Sequence, residues 1–320
     1  MQRSECQLCG GEAVFLCKAA LYPGAEREIA RCGACGAAFY SPLPDDSELS
    51  NCYQTAYYGG FLDKYWKDYR KGLRLGAELK RLKPAGRYLD VGCALGTMLA
   101  GVRDASGWEV FGTEFSAETA RTGFEINGVE ITAAPALGAA GFKADSFDYI
   151  FANNVIEHLP DPRRFLEEAK ALLKHGGCLR LTTPNGANDL SPNELLWKKK
   201  GAVLVTRHGG HIWFYSERSL RIIFGKAGFE TVAFRGFHFL DALKSRGLWP
   251  GALRRFEERR RRPPRRADAP AASTSQTRSA IPPETSRAVD SALALWRRLF
   301  RLPGLTFGGD FDILLRANKT

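Results

Sequence analysis

A glycine-containing loop between an apolar run and a helical pattern constrains the fold of this chain most strongly. The apolar run at 88–91 ends in a turn that contains Gly92 and Gly96, and a helical pattern follows through Ala105. Glycines let the backbone turn tightly and approach a ligand closely, and the first N–H groups of the following helix are unpaired. This arrangement is typical of doubly wound nucleotide-binding folds, which bind ligands beyond the carboxyl ends of their strands.

Apolar runs alternate with helical patterns along most of the chain. After the first strand, the sequence predicts strands at 108–114, 129–132, 147–152, 178–182, 229–234 and 308–317. It predicts helices at 70–83, 97–105, 117–127, 162–175 and 216–227. Such alternation favours a mostly parallel sheet with right-handed crossovers. We therefore predict an α/β fold with a seven-stranded, doubly wound, mostly parallel sheet.

Two Cys-x-x-Cys pairs lie within residues 1–40. They are Cys6 with Cys9 and Cys32 with Cys35. The first residues lack an apolar signal region, so we expect a cytoplasmic protein, in which paired cysteines favour a metal over disulfides. Four thiolates supply a closed tetrahedral site for structural zinc. The sequence thus predicts a zinc-ribbon-like unit, with a redox pair or unliganded thiols as the alternatives.

Composition divides the rest of the chain into four parts. An aromatic connector is predicted at 41–69, followed by the α/β core at 70–250, in which 185–213 are predicted to form an insertion of loop and short helix. A basic, flexible insertion with an amphipathic helix follows at 251–303, and 304–320 supply the last strand of the core. The rings of the connector either pack the cysteine unit onto the core or line a ligand pocket.

Positive charge is concentrated in one segment. Residues 251–301 contain 13 arginines and five acidic residues, and so carry eight of the eleven net positive charges. The segment is interpreted as a solvated insertion, or as a contact of residues 254–302 with the anionic inner face of the membrane. Nucleic acid is a less favoured partner, since few aromatic rings for base stacking lie within the arginine run.

The glycine loop differs from the loops of dinucleotide-binding enzymes. It reads Asp90-x-Gly-x-x-x-Gly instead of Gly-x-Gly-x-x-Gly, and no second dinucleotide-binding half follows. An acid directly before the loop repels a pyrophosphate but suits a ligand that carries a cationic amino-acid group. This difference argues against NAD as the cofactor.

On these residues the chain resembles the class I S-adenosylmethionine-dependent methyltransferases. Residues 88–96 resemble the first motif of that superfamily, 147–162 resemble its fourth-strand motif, and 172–182 resemble the segment that leads into its fifth strand. The resemblance covers about 70–235 and 308–318.

The resemblance implies S-adenosylmethionine as cofactor and Glu114 as the acid that holds the ribose hydroxyls. Ala94 departs from the family pattern, which more often has glycine there. The implied cofactor-binding residues are Asp90, Gly92, Cys93, Gly96, Glu114 and Asn153.

The order of the parts suggests an acceptor. A four-cysteine unit, a connector with the run 57–59 and a methyltransferase core resemble the subgroup associated with bacterial surface-polysaccharide and sugar biosynthesis. Similar zinc-bearing sugar C-methyltransferases carry a further C-terminal domain, which we do not expect here. The resemblance implies methyl transfer to an oxygen, or less readily a carbon, of a sugar, glycan or other small-molecule acceptor.

Methyl transfer to a hydroxyl needs alignment and a base, because the sulfonium methyl is already activated. His158 is the leading candidate base, since the reference pKa of histidine lies near neutrality. His211, together with His208, could reach the same pocket from the insertion. The alternative for His158 is a structural histidine that caps the turn at 153–159, and no metal is needed for the transfer.

Two other functions are compatible with the same parts. An RNA methyltransferase would use the cysteine unit and the arginines of 254–266 to bind its substrate. A binding module could also retain the fold without catalysis.

Overall fold

The computed structural model describes residues 3–21, 25–45, 47–49, 62, 64–186, 190, 204–205, 210–236 and 310–318, which belong to one compact unit. The predicted arginine-rich segment, the amphipathic helix at 292–302, His208 and most of the aromatic connector lie outside these residues. Among the described helices, none is long and apolar enough to cross a bilayer.

Thirteen strands and five α-helices form the described structure. In chain order the strands are β1 (Arg3–Glu5), β2 (Glu12–Ala20), β3 (Glu26–Cys32), β4 (Ala38–Tyr40), β5 (Arg87–Val91), β6 (Glu109–Glu114), β7 (Ile131–Ala133), β8 (Phe147–Asn153), β9 (Leu173–Pro184), β10 (Leu204–Val205), β11 (Trp213–Phe214), β12 (Phe229–Gly236) and β13 (Asp310–Ala317). The helices are α1 (Tyr65–Leu82), α2 (Thr97–Ser106), α3 (Ala117–Asn127), α4 (Pro162–Leu172) and α5 (Glu217–Lys226).

Seven strands form the larger sheet in the order β12-β13-β9-β8-β5-β6-β7, which confirms the predicted fold class. The five strands from β5 to β9 run parallel, whereas β13 lies antiparallel between β9 and β12. The chain passes from β5 to β6 on one side and later returns to β8 on the other. The carboxyl ends of β5 and β8 therefore border the crevice in which doubly wound folds bind ligands.

The two faces of this sheet are buried by different helices. On one face, Tyr88 belongs to a cluster with Leu79 of α1 and Leu99 of α2. On the other, Leu89 belongs to a cluster with Leu166 of α4, together with residues of α5. Neighbouring residues of β5 point to opposite faces, as the period of two in a strand requires. A strand buried on both faces explains why the run before the glycine loop is almost wholly apolar.

Helix α1 begins at Tyr65, five residues before the predicted start at 70. The hydroxyl of Tyr65 donates to Asn127 Oδ1 at 2.8 Å, and the hydroxyl of Tyr69 donates to Asp104 at 2.8 Å. These aromatic side chains lie four residues apart on one helix, so the predicted helix start at 70 is corrected to Tyr65. Their tertiary contacts extend the helix into a stretch whose aromatic composition suggests a loop.

The boundary between α4 and β9 also differs from the prediction. The helix was expected to reach residue 175 and the strand to begin at 178, but α4 ends at Leu172 and β9 begins at Leu173. Leu173 pairs with Phe147, and the register then shifts before Tyr149 pairs with Cys178. The residues skipped by this register shift include Gly176 and Gly177, which the sequence suggested as a helix stop. Strand β7 similarly lies one to two residues later than the predicted 129–132.

The smaller sheet contains the cysteine unit in the order β1-β2-β3-β4-β11, with β10 paired to β2. Strand β10 runs parallel to β2, and β11 runs antiparallel to β4. Both β10 and the first residue of β11 come from the insertion at 185–213, which was predicted to contain loop and short helix. The described part of the insertion instead adds strands to the cysteine sheet, and both sheets contribute to one buried cluster.

Helices α1 and α2 touch through glycines, and this contact predicts a large effect on stability. A Cβ at Gly72 would lie 2.1 Å from the Met98 carbonyl oxygen, and one at Gly101 would lie 2.3 Å from the Tyr69 carbonyl oxygen. We expect Gly72→Ala to lower the free energy of unfolding by roughly 1–3 kcal/mol or more, as overpacking against backbone does. Urea denaturation monitored by circular dichroism measures the change.

The matched control is Gly225→Ala in α5, because a Cβ there meets no atom within 4 Å. This variant should be unchanged or more stable by up to about 1 kcal/mol, from the higher helix propensity of alanine. Equal effects of the two substitutions would contradict the close contact between α1 and α2.

Candidate active site

The loop between β5 and α2 holds three residues in the left-handed backbone region. They are Gly92 at φ +67°, Ala94 at +51° and Gly96 at +66°. A Cβ at Gly92 would lie 2.8 Å from Val155, which follows β8, and one at Gly96 would lie 2.7 Å from Val129. Packing therefore requires both glycines, whereas Ala94 tolerates the left-handed conformation at some cost in strain.

Glu114, at the end of β6, bridges this loop and the start of α3. Its carboxylate accepts hydrogen bonds from the backbone N–H groups of Ala94 at 2.9 Å and Ser116 at 3.2 Å. Ser116 also caps α3, as its N-cap position in the sequence suggests. Burial raises the pKa of Glu114. The side chain is held beside the glycine loop, where the sequence predicted a contact with the cofactor.

Asp90 is buried at the end of β5, directly before the loop. Burial, followed by the nearby carboxylates Asp68 and Glu114, raises the pKa of Asp90 to about 8. Three carboxyl groups thus lie close together at this end of the sheet. A ligand with a sulfonium and an ammonium group would favour their ionised forms, and it would lower the pKa of Asp90 when bound. The residues present therefore fit S-adenosylmethionine.

The other two predicted cofactor-binding residues are Cys93, within the loop, and Asn153, at the end of β8. A Cβ at Gly112 would lie 2.6 Å from Cys93 Sγ, so the thiol faces β6, and the Cys93 N–H donates to Thr113 O at 3.0 Å. Burial raises the pKa of that thiol well above its usual range. Asn153 is exposed at the end of β8, where its Oδ1 accepts from the Thr182 hydroxyl at 2.7 Å.

The structure brings the two candidate bases together. His158 ends the 3₁₀ turn Ile156–His158 that follows β8, and His211 lies just before β11. Their ring centroids are 4.7 Å apart in an edge-to-face arrangement. His158 Nδ1 lies 2.8 Å from the carbonyl oxygen of Gly210, which can only accept, so Nδ1 carries a proton and donates it to this hydrogen bond.

Glu157 joins these histidines in one cluster. Its side chain is buried, and Oε2 accepts from the Thr183 hydroxyl at 3.0 Å. Glu157, His158 and His211 each offer a ligand atom, all within 4.8 Å of one another. Such a set can relay a proton or bind a divalent cation. The sequence did not single out Thr183, because a threonine in a predicted strand carries no local signal of this role.

The four cysteines converge as the sequence predicted. Cys6 Sγ lies 3.7 Å from Cys35 Sγ, and Cys9 Sγ lies 3.5 Å from Cys32 Sγ. These separations are too long for disulfide bonds, and they are close to the ~3.8 Å between sulfurs in a tetrahedral zinc site with 2.3 Å bonds. Backbone N–H groups of Gly11 and Cys35 also point at two of the sulfurs. The donor set therefore fits structural zinc.

The sheet order and the acidic crevice define the Rossmann-like fold of the class I methyltransferases. The family profile described as "Methyltransferase domain" matches residues 58–233, which is more than half of the chain. The chain belongs to this family and is an S-adenosylmethionine-dependent methyltransferase.

Two curated relatives share one description. The chain is 34% identical over 178 residues to a ubiquinone biosynthesis O-methyltransferase of Dinoroseobacter shibae, covering 51% of this chain and 68% of the relative. It is 34% identical over 165 residues to the protein of the same description from Ruegeria pomeroyi, covering 48% and 63%. A solved S-adenosylmethionine-dependent methyltransferase of Archaeoglobus fulgidus has a TM-score of 0.46 and 18% identity, over 82% of this chain and 100% of that one.

Proposed function

We propose that this enzyme methylates a hydroxyl oxygen of a small-molecule acceptor and that His158 is the general base. This proposal rests on the position of His158, which lies on the turn directly after β8. That turn borders the glycine loop, since Val155 contacts the position where Gly92 lacks a side chain. A neutral imidazole suits an acceptor that must lose a proton as its oxygen is methylated.

The candidate base His158 holds a proton on Nδ1. The Nδ1–H of His158 donates to Gly210 O, so Nε2 is the ring nitrogen that would take the proton of the acceptor hydroxyl. His211 and the buried Glu157 adjoin the ring. A second imidazole and a carboxyl group thus lie beside the candidate base. A base fixed in one tautomer loses no free energy to reorientation during the reaction.

On the side of the cofactor, the chain supplies charge and backbone groups. When bound, S-adenosylmethionine provides a methyl group that is already activated as a leaving group on sulfur. Asp90 would pair with its ammonium group, Glu114 would accept from its ribose hydroxyls, and the glycine loop would let the backbone approach it. The exposed Asn153 at the end of β8 would contact either the cofactor or the acceptor.

The acceptor class is proposed from two sources. The curated relatives are described as O-methyltransferases, which supports oxygen as the acceptor atom. The four-cysteine unit ahead of the core favours a sugar or glycan hydroxyl. Incubation with methyl-labelled cofactor and two acceptor panels, nucleotide sugars with glycan fragments and hydroxylated aromatics, separates these classes. Label in the first panel is the expected result, and label only in the second would reassign the acceptor to a phenol.

We also propose that Cys6, Cys9, Cys32 and Cys35 bind one structural zinc ion. Elemental analysis of the purified protein should give about one zinc per chain, with no open coordination position. Cys9→Ser should lower this content, whereas Cys178→Ser, on β9 of the other sheet, should retain it. Absence of zinc would remove the ribbon assignment. A second metal per chain, lost in His211→Ala, would instead assign Glu157, His158 and His211 to a metal centre.

A further inference from the structure

Four hydrogen bonds fasten the turn of His158 to the segment 210–215. Three carbonyl oxygens of the turn accept from this segment: Ile156 O from the Tyr215 hydroxyl at 3.0 Å, Glu157 O from the Ile212 N–H at 2.9 Å, and Leu159 O from the Trp213 indole N–H at 3.0 Å. The fourth bond joins His158 Nδ1 to Gly210 O. Each of the four successive residues 156–159 is thus held by one contact from the same segment.

The same segment is part of the cysteine sheet. Trp213 pairs with Phe39 and Phe214 with Ala38, and the rings of Trp213 and Phe39 lie 5.1 Å apart. The N–H of Tyr40 also donates to Ile212 O at 3.3 Å. Strand β11 therefore has one neighbour in the cysteine sheet and another in the turn of the candidate base.

The segment ends on a direct contact with the cysteine site. The Ser216 hydroxyl donates to the carbonyl oxygen of Cys35 at 2.7 Å. The neighbouring Gly36 has φ +78°, and a Cβ there would lie 3.3 Å from Ser216 Oγ. The turn that carries the metal-binding sulfur thus packs against the residue that caps α5.

The interior of this connection is closely packed. Ile212, Trp213, Phe214 and Tyr215 are all at most 2% exposed, and His211 is 5% exposed. Close-packed interiors transmit displacement, because neighbouring side chains have no space to absorb it. A displacement of the cysteine turn should therefore also displace the His158 ring. None of the four hydrogen bonds described above involves the glycine loop after β5.

We propose that the four-cysteine unit positions the candidate base, with residues 210–216 as the positioning residues. Bound zinc fixes the turn at 32–37, this turn fixes Ser216 and β11, and β11 with its flanks fixes the orientation and tautomer of His158. The inference rests on the proposed role of His158 for its effect on turnover. The His158 tautomer should depend on the cysteine unit whether or not His158 takes part in methyl transfer.

The test compares zinc-loaded protein with protein freed of zinc by a chelator. Nitrogen-15 NMR of labelled histidine reports the tautomer, and His158→Gln identifies the His158 signals among the five histidines. We expect one tautomer, with the proton on Nδ1, in the zinc-loaded protein and a mixture of both in the zinc-free protein. Affinity for S-adenosylmethionine, measured by calorimetry, should stay the same. A folded zinc-free protein that keeps the single tautomer would overturn the proposal.

If the zinc-free protein unfolds, a substitution in the zinc-loaded protein tests the positioning role instead. Tyr215→Phe removes only the hydroxyl bond to the turn and should leave zinc content unchanged. We expect a mixed tautomer at His158 and a kcat lowered about tenfold, since misplacement of a catalytic group is costly. The control Tyr69→Phe removes a hydroxyl bond between α1 and α2 and should change neither quantity. Wild-type tautomer in Tyr215→Phe would overturn the positioning role. If His158 is not the base, kcat stays unchanged while the tautomer still shifts.

Discussion

Replacing His158 with alanine should lower turnover by about 10²- to 10⁴-fold, the usual contribution of a general base. The affinity for S-adenosylmethionine should change little, because Asp90 and Glu114 lie on β5 and β6, whereas His158 lies on the turn after β8. Steady-state kinetics with the acceptor from the labelled-methyl assay, together with calorimetry for the cofactor, separates the two effects.

The control for this substitution is His175→Ala. His175 is exposed in the first part of β9, away from the carboxyl ends of the strands, and its removal should not affect turnover. Wild-type turnover in His158→Ala would transfer the role of base to His211, or to alignment alone.

Replacing Asp90 with asparagine should have two opposite effects. Cofactor affinity should fall by roughly 10- to 100-fold, from the ~1.5–3 kcal/mol that a hydrogen bond to a charged group contributes. The cofactor-free protein should nevertheless become more stable at neutral pH. The reason is that the buried carboxyl has a pKa raised to about 8, so its ionised form is disfavoured in the folded state.

The sign of the pH dependence follows from that shift. Between the ordinary aspartate pKa near 4 and about 8, the folded protein binds more protons at Asp90 than the unfolded chain, so this group lowers stability as pH rises. Asp90→Asn should remove this slope and gain a few kcal/mol at pH 7, since each pKa unit corresponds to ~1.4 kcal/mol. Urea denaturation at pH 5.5 and 7.5 measures the difference.

Cofactor binding should show the reverse trend. A cationic ligand binds the ionised carboxylate, so the wild-type affinity should rise up to about tenfold per pH unit between pH 6.0 and 7.5, where an α-ammonium keeps its charge. Glu109→Gln, exposed at the opposite end of the sheet, should retain this dependence. If Asp90→Asn binds the cofactor like the wild type, Asp90 has no contact with the ligand.

The sequence could predict the larger sheet because its signals are local. The glycines at 92 and 96, the cap at Ser116 and the apolar strands each follow from neighbouring residues, and they are placed as predicted. The start of α1 could not be predicted in this way. Its first turn is stabilised by the bond of Tyr65 to Asn127, a residue 62 positions away along the chain.

The candidate site was predicted only in part for the same reason. His158 and His211 were recognisable as residue types, but their contact depends on β11 joining the cysteine sheet across the insertion. Polar residues of the predicted insertion gave no periodic pattern that would place a strand there. The motif likewise gave no sign that Asp90 is buried, although the expected pH dependence of cofactor binding follows from this burial.

We propose above that this site methylates oxygen with the help of His158. The most direct measurement uses cofactor with a carbon-13 methyl group and identifies the product by NMR. We predict an O-methyl signal with wild-type protein that is reduced at least about 100-fold in His158→Ala. A methyl group on nitrogen or carbon, or an undiminished O-methyl product in His158→Ala, would contradict the claim.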